Sequence, residues 1–169
     1  MPASFAAAAR GMTCQGTYGD ALYRLEKLAK EDEAMTVRVG RRESFNAAHQ
    51  LCDPDLSDDE NRRLFGKCAN LHGHNYVLEV VVAGEIDQAR GYVLDLKLLS
   101  EVITRQVIRD VDHRNLNTDV PWLKGLIPTA ENLAQAFWER LQPELPAGLL
   151  RSVRVWETDK NWAEVGAQT

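Results

Sequence analysis

The chain has 169 residues, of which 44% are hydrophobic and 27% charged, a composition typical of one globular domain rather than a disordered or fibrous chain. Its formal net charge of −5 argues against a nucleic-acid partner, because proteins that bind phosphate backbones usually carry a basic surface. No apolar run approaches the roughly 18 residues that a membrane-spanning helix needs, so no membrane partner is expected.

The first 34 residues are predicted to be an N-terminal extension, in part helical, without recognisable chemistry. Residues 6–9 are an alanine run with no basic residues before it, so no signal peptide is predicted. Leu22, Leu25 and Leu28 recur at helical spacing. The well-patterned domain is expected to span residues 35–169.

Two strands are predicted at the start of this domain. In the first, apolar residues and a histidine occupy alternate positions, which places them on one face of a strand. These residues are Val37, Val39, Phe45, Ala47 and His49. A polar connection is expected over residues 53–61, and the second strand is predicted from about Leu71 to a turn near Gly84.

Two helices follow, each with one apolar face. Asp95 is the expected N-cap of the first helix, and Thr129 is that of the second, which ends at Pro143. Two further strands are predicted over residues 153–157 and 162–165. This order predicts an α+β fold, in which two helices cover one face of an antiparallel four-stranded sheet. Oligomerisation is one way of closing the open edges of such a sheet.

Three of the four histidines are expected to meet. His72 and His74 are two residues apart on a predicted strand, so both side chains leave the same face. His49 ends the preceding strand, and neighbouring strands lie only about 4.8 Å apart. A His-x-His pair alone is often a polar feature of a sheet edge, but the third histidine favours a metal site. Three imidazoles and an open fourth position are typical of catalytic zinc.

The three cysteines are odd in number and include no Cys-x-x-Cys pair, which favours a reducing compartment, and the cytoplasm is expected. Cys68 lies four residues before His72. A free cysteine is most often a small buried hydrophobic residue. However, a divalent cation and Lys67 nearby would favour the thiolate, which is a competent base. Cys52 is the rival candidate, and it ranks lower because it precedes an acidic loop.

Two further features are candidate acid–base or binding groups. Asp112 adjoins His113, and a carboxylate can orient an imidazole, although such a pair taken alone is more often a surface feature of a loop. Glu157 alternates with Val153 and Val155 along the predicted strand, so its side chain should leave the same face as theirs. It is expected to face inward or into a pocket, where it would need hydrogen-bond donors. The alternative is a solvated glutamate at a strand end.

Six segments in order resemble the 6-pyruvoyltetrahydropterin synthase / 6-carboxytetrahydropterin synthase family, over about three quarters of the chain. They are Phe45-Asn-Ala-Ala-His49, Phe65-Gly-Lys-Cys-Ala-Asn-Leu-His-Gly-His-Asn-Tyr76, Gly91-Tyr-Val-Leu-Asp-Leu96, Asp112-His-Arg-Asn-Leu-Asn117, Pro128-Thr-Ala-Glu-Asn132 and Val155-Trp-Glu-Thr158.

The resemblance implies a tunnelling fold (T-fold) assembled as a homohexamer, a dimer of trimers whose sheets close into a barrel. It implies a zinc-dependent lyase that acts on dihydroneopterin triphosphate. The implied residues are His49, His72 and His74 for Zn²⁺, Cys68 for proton abstraction, Asp112 and His113 as a dyad from a neighbouring subunit, and Thr129, Glu131 and Glu157 for the pterin.

The spacing between Cys68 and His72 bears on the product. Three residues separate them, as in the bacterial queuosine-pathway members, whereas the animal 6-pyruvoyl enzymes have five. The expected product is therefore 6-carboxytetrahydropterin, with release of triphosphate and acetaldehyde. The alternative is the 6-pyruvoyltetrahydropterin synthase of a tetrahydrobiopterin-type pathway, which residues 56–61 and Phe65-Gly-Lys67 resemble.

Two other classes of protein remain as alternatives. A cupin-like metal-binding protein would explain the spacing of His72, His74 and Glu79. However, Glu79 should leave the opposite strand face from the two histidines, and the predicted helices do not suit a cupin. A structural zinc protein would need a fourth ligand, and Cys52 or Cys68 could supply it.

Overall fold

The computed structural model describes residues 36–167, so the extension predicted for residues 1–34 lies outside the described part of the chain. Five strands form one sheet in the order β3-β1-β2-β4-β5. The strands are β1 (Val37–His49), β2 (His72–Gly84), β3 (Arg114–Asn115), β4 (Leu150–Trp156) and β5 (Trp162–Gly166). The α-helices are α1 (Asp58–Phe65), α2 (Leu96–Ile103), α3 (Arg109–Val111) and α4 (Ala130–Leu141).

One face of the sheet carries the core, as the alternation in the sequence predicts. β1 and β2 pair without interruption from Val37 opposite Gly84 to His49 opposite His72. Helix α2 packs against β1, and α4 packs against β4 and β5, so both cover the face whose residues are buried. The α+β class and the T-fold arrangement are confirmed.

The predicted number of strands is wrong, because the described residues contain a fifth strand, β3. It is two residues long and runs parallel to β1, with Arg114 opposite Ala47 and Asn115 opposite Ala48. A strand of two residues is too short to carry an alternating apolar pattern that the sequence could show. β3 places the residue before it, His113, beside the end of β1.

The polar connection predicted over residues 53–61 is wrong in its second half, where α1 begins. Ser57 is the N-cap of α1 and accepts from the Glu60 N–H, while the Glu60 carboxylate accepts from the Ser57 N–H at 2.9 Å. The side chain of buried Asn61 donates to the Asp53 carbonyl at 3.0 Å. Polar composition indicated a loop, although Ser-Asp-Asp-Glu also carries the spacing of a capping box.

The helix that begins at Leu96 does not continue regularly to Val111. A π-helical stretch, Thr104–Ile108, separates α2 from α3, and such a stretch disturbs the usual backbone bonds. Arg140 of α4 donates from Nε to the Gln106 carbonyl at 2.7 Å, and its guanidinium lies 4.4 Å from the centroid of the Trp122 ring. These contacts hold the segment that leads to Asp112 and His113.

Within residues 36–167, no helix is both long enough and apolar enough to cross a bilayer.

Candidate active site

Three histidines converge at one end of the sheet. His49 is the last residue of β1, and it lies directly opposite His72, the first residue of β2. His74 follows on the same face of β2. One ring nitrogen from each lies within 4.8 Å of the others, and the Nε2 atoms of His49 and His72 are 3.1 Å apart. The sequence prediction that these three side chains meet is confirmed by this geometry.

Backbone carbonyls determine which nitrogens of the cluster are available. His49 Nδ1 donates to the Pro128 carbonyl at 2.8 Å, and His72 Nδ1 donates to the Asn70 carbonyl at 2.7 Å. A carbonyl only accepts, so each neutral ring carries its proton on Nδ1 and its lone pair on Nε2. Two lone pairs therefore face each other across 3.1 Å, an arrangement that a cation would stabilise.

Burial keeps this cluster in the form that binds a metal. Burial lowers the pKa of His49 and of His74, more than the neighbouring Glu157 raises either one. Both imidazoles are therefore neutral near pH 7, as metal ligands must be. Within residues 36–167, the buried Nε2 of His74 has no hydrogen-bond partner. An ion at about 2.0–2.1 Å from each nitrogen, the usual distance for zinc, would satisfy it. The residues fit a metal ion.

Glu157 follows β4 and faces the histidines. Its Oε1 lies 3.5 Å from His49 Nε2 and 3.7 Å from His74 Nε2, which is too long for good hydrogen bonds. The Glu157 carboxylate makes no hydrogen bond within residues 36–167, and its side chain is 23% exposed. This half-buried carboxylate can therefore accept hydrogen bonds from a ligand beside the metal cluster.

Tyr76 belongs to the same site, although sequence reasoning did not single it out. Its ring is fully buried, stacks on Phe45 and packs edge-on against His49 and His74. Its hydroxyl has no hydrogen-bond partner among the described residues. Burial together with Glu157 raises the pKa of Tyr76, so the phenol is neutral. The sequence does contain an indication of this position, because Tyr76 alternates with His72 and His74 along β2 and leaves the same face.

Asp112 and His113 form a dyad that is fixed to β1. The Asp112 Oδ1 accepts from the Asn46 N–H at 2.9 Å and lies 3.0 Å from His113 Nδ1. The Asn46 N–H, helped by His113, lowers the pKa of Asp112, so this carboxylate is ionised near neutral pH. His113 donates its N–H to the Asn46 carbonyl at 2.6 Å.

The backbone of His113 is itself unusual. Its φ of 57° lies in the left-handed region, which residues other than glycine seldom adopt. Its side chain is 76% exposed, so Nε2 is free to meet another group. Asn46, which holds the dyad through its backbone, could not be found from the sequence because the contact spans 66 residues.

Cys68 lies at the metal end of the sheet but is not part of the metal cluster in the described residues. It belongs to the 3₁₀ segment Gly66–Ala69, and its carbonyl accepts from the Leu51 N–H at 2.8 Å. Its thiol side chain is exposed, whereas Cys52 is half-buried with Sγ 3.9 Å from the Asp53 carbonyl.

Thr129 and Glu131 lie at the start of α4, beside the carbonyl that holds His49. Thr129 is the N-cap, as predicted, and its hydroxyl accepts from the Asn132 N–H at 3.3 Å. Glu131 is exposed in the first turn. An open groove of about 770 Å³ brings other predicted residues together, and neither of these two nor Cys68 lines it. Its lining includes Asn46, His74, Asn75, His113, Arg114 and Glu157.

Comparison with known proteins decides the family. The profile of the family described as 6-pyruvoyl tetrahydropterin synthase matches residues 38–168. The chain belongs to this family. It is 47% identical to 6-pyruvoyl tetrahydrobiopterin synthase of Homo sapiens over 126 residues, which are 73% of this chain and 87% of the human protein. The enzyme of the same name from Dictyostelium discoideum is 42% identical, over 75% of this chain and 93% of its own length.

A solved structure agrees with these relatives. The 6-pyruvoyl tetrahydropterin synthase of Caenorhabditis elegans superposes with a TM-score of 0.74 at 40% identity, over 79% of this chain and 96% of the nematode chain. The chain is therefore an enzyme of this family, and the cupin-like alternative is wrong. Glu79, which that alternative needed as a ligand, lies on the opposite face and pairs with Arg42 and Arg154.

The expected 6-carboxytetrahydropterin product of the queuosine pathway is contradicted by the relatives. Those with the highest identity and coverage reported above are named 6-pyruvoyl enzymes, across animals and Dictyostelium. The prediction depended on the three residues between Cys68 and His72. These lie in and after the 3₁₀ segment at the surface, where a change in length does not alter the pairing of β1 with β2. One spacing there carries less information than identity over 126 residues.

Proposed function

We propose that this enzyme converts 7,8-dihydroneopterin triphosphate into 6-pyruvoyl-5,6,7,8-tetrahydropterin and releases triphosphate, as a zinc-dependent lyase. The observation that carries the proposal is the three-histidine cluster beside the free carboxylate of Glu157, in a chain of this family. The names of the relatives support the product. Cys68 must keep a free thiol to act as a base, which supports a reducing compartment such as the cytoplasm.

His49, His72 and His74 would hold the metal. Three nitrogen ligands with a fourth position open are typical of catalytic zinc rather than of a closed structural site. When bound, the ion would supply a Lewis acid that acidifies the side-chain hydroxyls of the substrate. The carbonyls of Pro128 and Asn70 keep the rings of His49 and His72 in place, because each accepts the Nδ1–H of its ring.

Glu157 would anchor the pterin ring. The 2-amino group and the ring N–H of a pterin form a donor pair, which a carboxylate accepts through both oxygens. Thr129 and Glu131 would contribute further polar contacts from the start of α4.

The rearrangement needs proton transfers but no external oxidant. Removal of the proton on the middle side-chain carbon expels triphosphate from the last carbon and leaves an enol, which becomes the terminal methyl ketone. The remaining carbinol carbon becomes a ketone as its proton leaves, and the electron pair passes into the ring N5=C6 bond, which gains one proton at N5 and one at C6. Cys68 would remove the carbon-bound proton, and Asp112 with His113 would return protons from solvent.

A homohexamer, as two trimers, is part of this proposal. The His113 imidazole is 76% exposed although the carboxylate beside it is well held, which suits a group that acts in a neighbouring subunit. Leu71, between Cys68 and His72, is 59% exposed and would be covered in such an assembly.

The product assay tests the proposed function. Metal-loaded protein is incubated with 7,8-dihydroneopterin triphosphate, and the pterin product is identified by mass spectrometry. We expect 6-pyruvoyltetrahydropterin and one triphosphate for each substrate consumed. Release of acetaldehyde, or a product that has lost side-chain carbons, would contradict the proposal.

Replacement of Glu157 by glutamine should weaken pterin binding without loss of metal. The amide keeps the shape but loses the charge, and charge-assisted hydrogen bonds contribute about 1.5–3 kcal/mol against about 1 for neutral ones. We expect a Michaelis constant raised about tenfold or more and an unchanged metal content. Unchanged kinetics, or loss of the metal, would show that the anchor lies elsewhere.

A further inference from the structure

Tyr76 carries a buried hydroxyl that the proposed chemistry does not use. Its side chain is fully buried, and within residues 36–167 the hydroxyl has no hydrogen-bond partner. The ring stacks on that of Phe45 with the two centroids 4.8 Å apart, and a phenylalanine could make the same stack. A buried hydroxyl without a partner lowers the free energy of unfolding, and such groups are rare in proteins. The hydroxyl therefore needs an explanation other than packing.

The register of the sheet places Tyr76 beside Glu157. β2 and β4 are antiparallel, and their last pair at this end of the sheet is Val77 opposite Trp156. The next position in the same register sets Tyr76 opposite Glu157, and residues directly opposite each other have Cβ atoms about 4.5–5.5 Å apart. Both side chains reach His74, since the Tyr76 ring lies 5.5 Å from its ring and Glu157 Oε1 lies 3.7 Å from its Nε2.

The two neighbouring groups are complementary. Burial and the charge of Glu157 both raise the pKa of Tyr76, so the phenol keeps the proton that it can donate. A carboxylate only accepts, and its two oxygens offer about four acceptor sites. The carboxylate of Glu157 makes no hydrogen bond within residues 36–167. A donor without an acceptor thus lies next to an acceptor without a donor.

We propose that Tyr76 is a positioning residue for the pterin anchor, an inference that rests on the proposed function. Its O–H donates to one oxygen of Glu157 from the buried side and fixes the plane of the carboxylate. The lone pairs on the groove side are then aligned with the donor pair of the pterin ring. Hydrogen bonds of this kind are often long before the ligand binds and shorten in the complex. Tyr76 acts through Glu157 and touches no reacting atom.

The test uses Tyr76→Phe in the metal-loaded full chain, with 7,8-dihydroneopterin as the binding probe. Loss of one hydrogen bond to a charged group should weaken binding of the probe about tenfold. The Michaelis constant for dihydroneopterin triphosphate should rise similarly, while kcat changes less than about twofold and the metal content stays the same. Probe binding equal to that of wild type, or a loss of kcat without a loss of binding, would overturn the proposal.

Thermal unfolding without ligand distinguishes positioning from a contribution to the fold. Because the hydroxyl has no partner among the described residues, Tyr76→Phe should unfold at the same temperature as wild type or at a higher one. A lower melting temperature together with weaker binding would assign the hydroxyl to the fold and overturn the proposal.

Tyr92→Phe is the matched control, because it removes the same hydroxyl from a ring that is 44% exposed and does not line the groove. It should leave both the binding of the probe and the melting temperature unchanged. A loss of binding equal to that of Tyr76→Phe would show that the effect is not specific to Tyr76.

The double variant of Tyr76→Phe with Glu157→Gln tests whether the hydroxyl acts through the carboxylate. Glutamine removes the charge that makes this hydrogen bond strong. The combined loss of probe binding should therefore be clearly smaller than the product of the two single losses. Losses that multiply would give the two groups independent roles and overturn the proposal.

The product assay separates this inference from the proposed function. A product other than 6-pyruvoyltetrahydropterin, together with probe binding that depends on Tyr76 and Glu157 as a coupled pair, would overturn the function and support the positioning role. The 6-pyruvoyl product with unchanged probe binding in Tyr76→Phe would overturn the positioning role and leave the function in place.

Discussion

His72→Ala and His74→Ala should each lose most of their bound metal, whereas His113→Ala should keep it. The three-histidine cluster supplies all the nitrogens that converge within 4.8 Å in the described range, so removal of one leaves two ligands. Loss of an outer partner of a metal ligand typically lowers metal affinity about 10–100-fold, and loss of a ligand itself should exceed this. His113 is bound to Asp112 and lies outside the cluster.

Metal content after dialysis, measured by mass spectrometry, decides this prediction, with about one zinc per chain expected in wild type. Thermal unfolding gives an independent measurement, because a metal that binds only the folded state raises the free energy of unfolding. A chelator should lower the melting temperature of wild type and of His113→Ala, but hardly that of His74→Ala. A His113→Ala variant that loses zinc as fully as the other two would overturn the assignment of roles.

The convergence of the histidines could be predicted from the sequence because it depends on one regular property. Alternate residues of a strand leave the same face, and adjacent strands in register bring their ends together. His72 and His74 obey the first rule, and the uninterrupted pairing of β1 with β2 satisfies the second for His49. The same alternation predicted that Glu157 faces inward or into a pocket, and its carboxylate lies beside the histidines.

The supporting contacts could not be predicted, because they join backbone atoms of distant segments. The Pro128 carbonyl that orients His49 lies 79 residues away, and the Asn46 N–H that holds Asp112 lies 66 residues away. Any residue type supplies a carbonyl or an N–H, so the sequence gives no sign of which one will be used. β3 could not be predicted because its two residues are too few to show a strand pattern.

The product was predicted wrongly for a different reason. The sequence spacing around Cys68 describes a short surface connection, and insertions there cost little free energy. The family was already clear from six ordered segments, but its subdivision depended on one variable length. The positions of the histidines follow from the pairing of β1 with β2, which a change in the length of this connection does not alter.

The last prediction concerns Cys68, because the proposed chemistry needs a base that the metal cluster does not supply. Cys68→Ala should retain its fold and its zinc and lose most of its turnover, since a positioned general base contributes typically about 10²–10⁴-fold. Cys68 is exposed at the metal end of the sheet, so its thiol can reach a substrate, and its truncation opens no cavity in the core. Retained turnover in Cys68→Ala would contradict the role of this thiol.

Cys52→Ala is the matched control and should stay close to wild type. Cys52 is half-buried, and its Sγ is 3.9 Å from the Asp53 carbonyl, so it lacks the access of Cys68. A thiol reagent should inactivate wild type and Cys52→Ala alike, and bound substrate or product should protect both. Zinc content measured beside turnover separates two roles for Cys68. A fourth ligand would lose metal and activity together when replaced, whereas a base leaves an inactive enzyme that still holds its zinc, which is the result we expect.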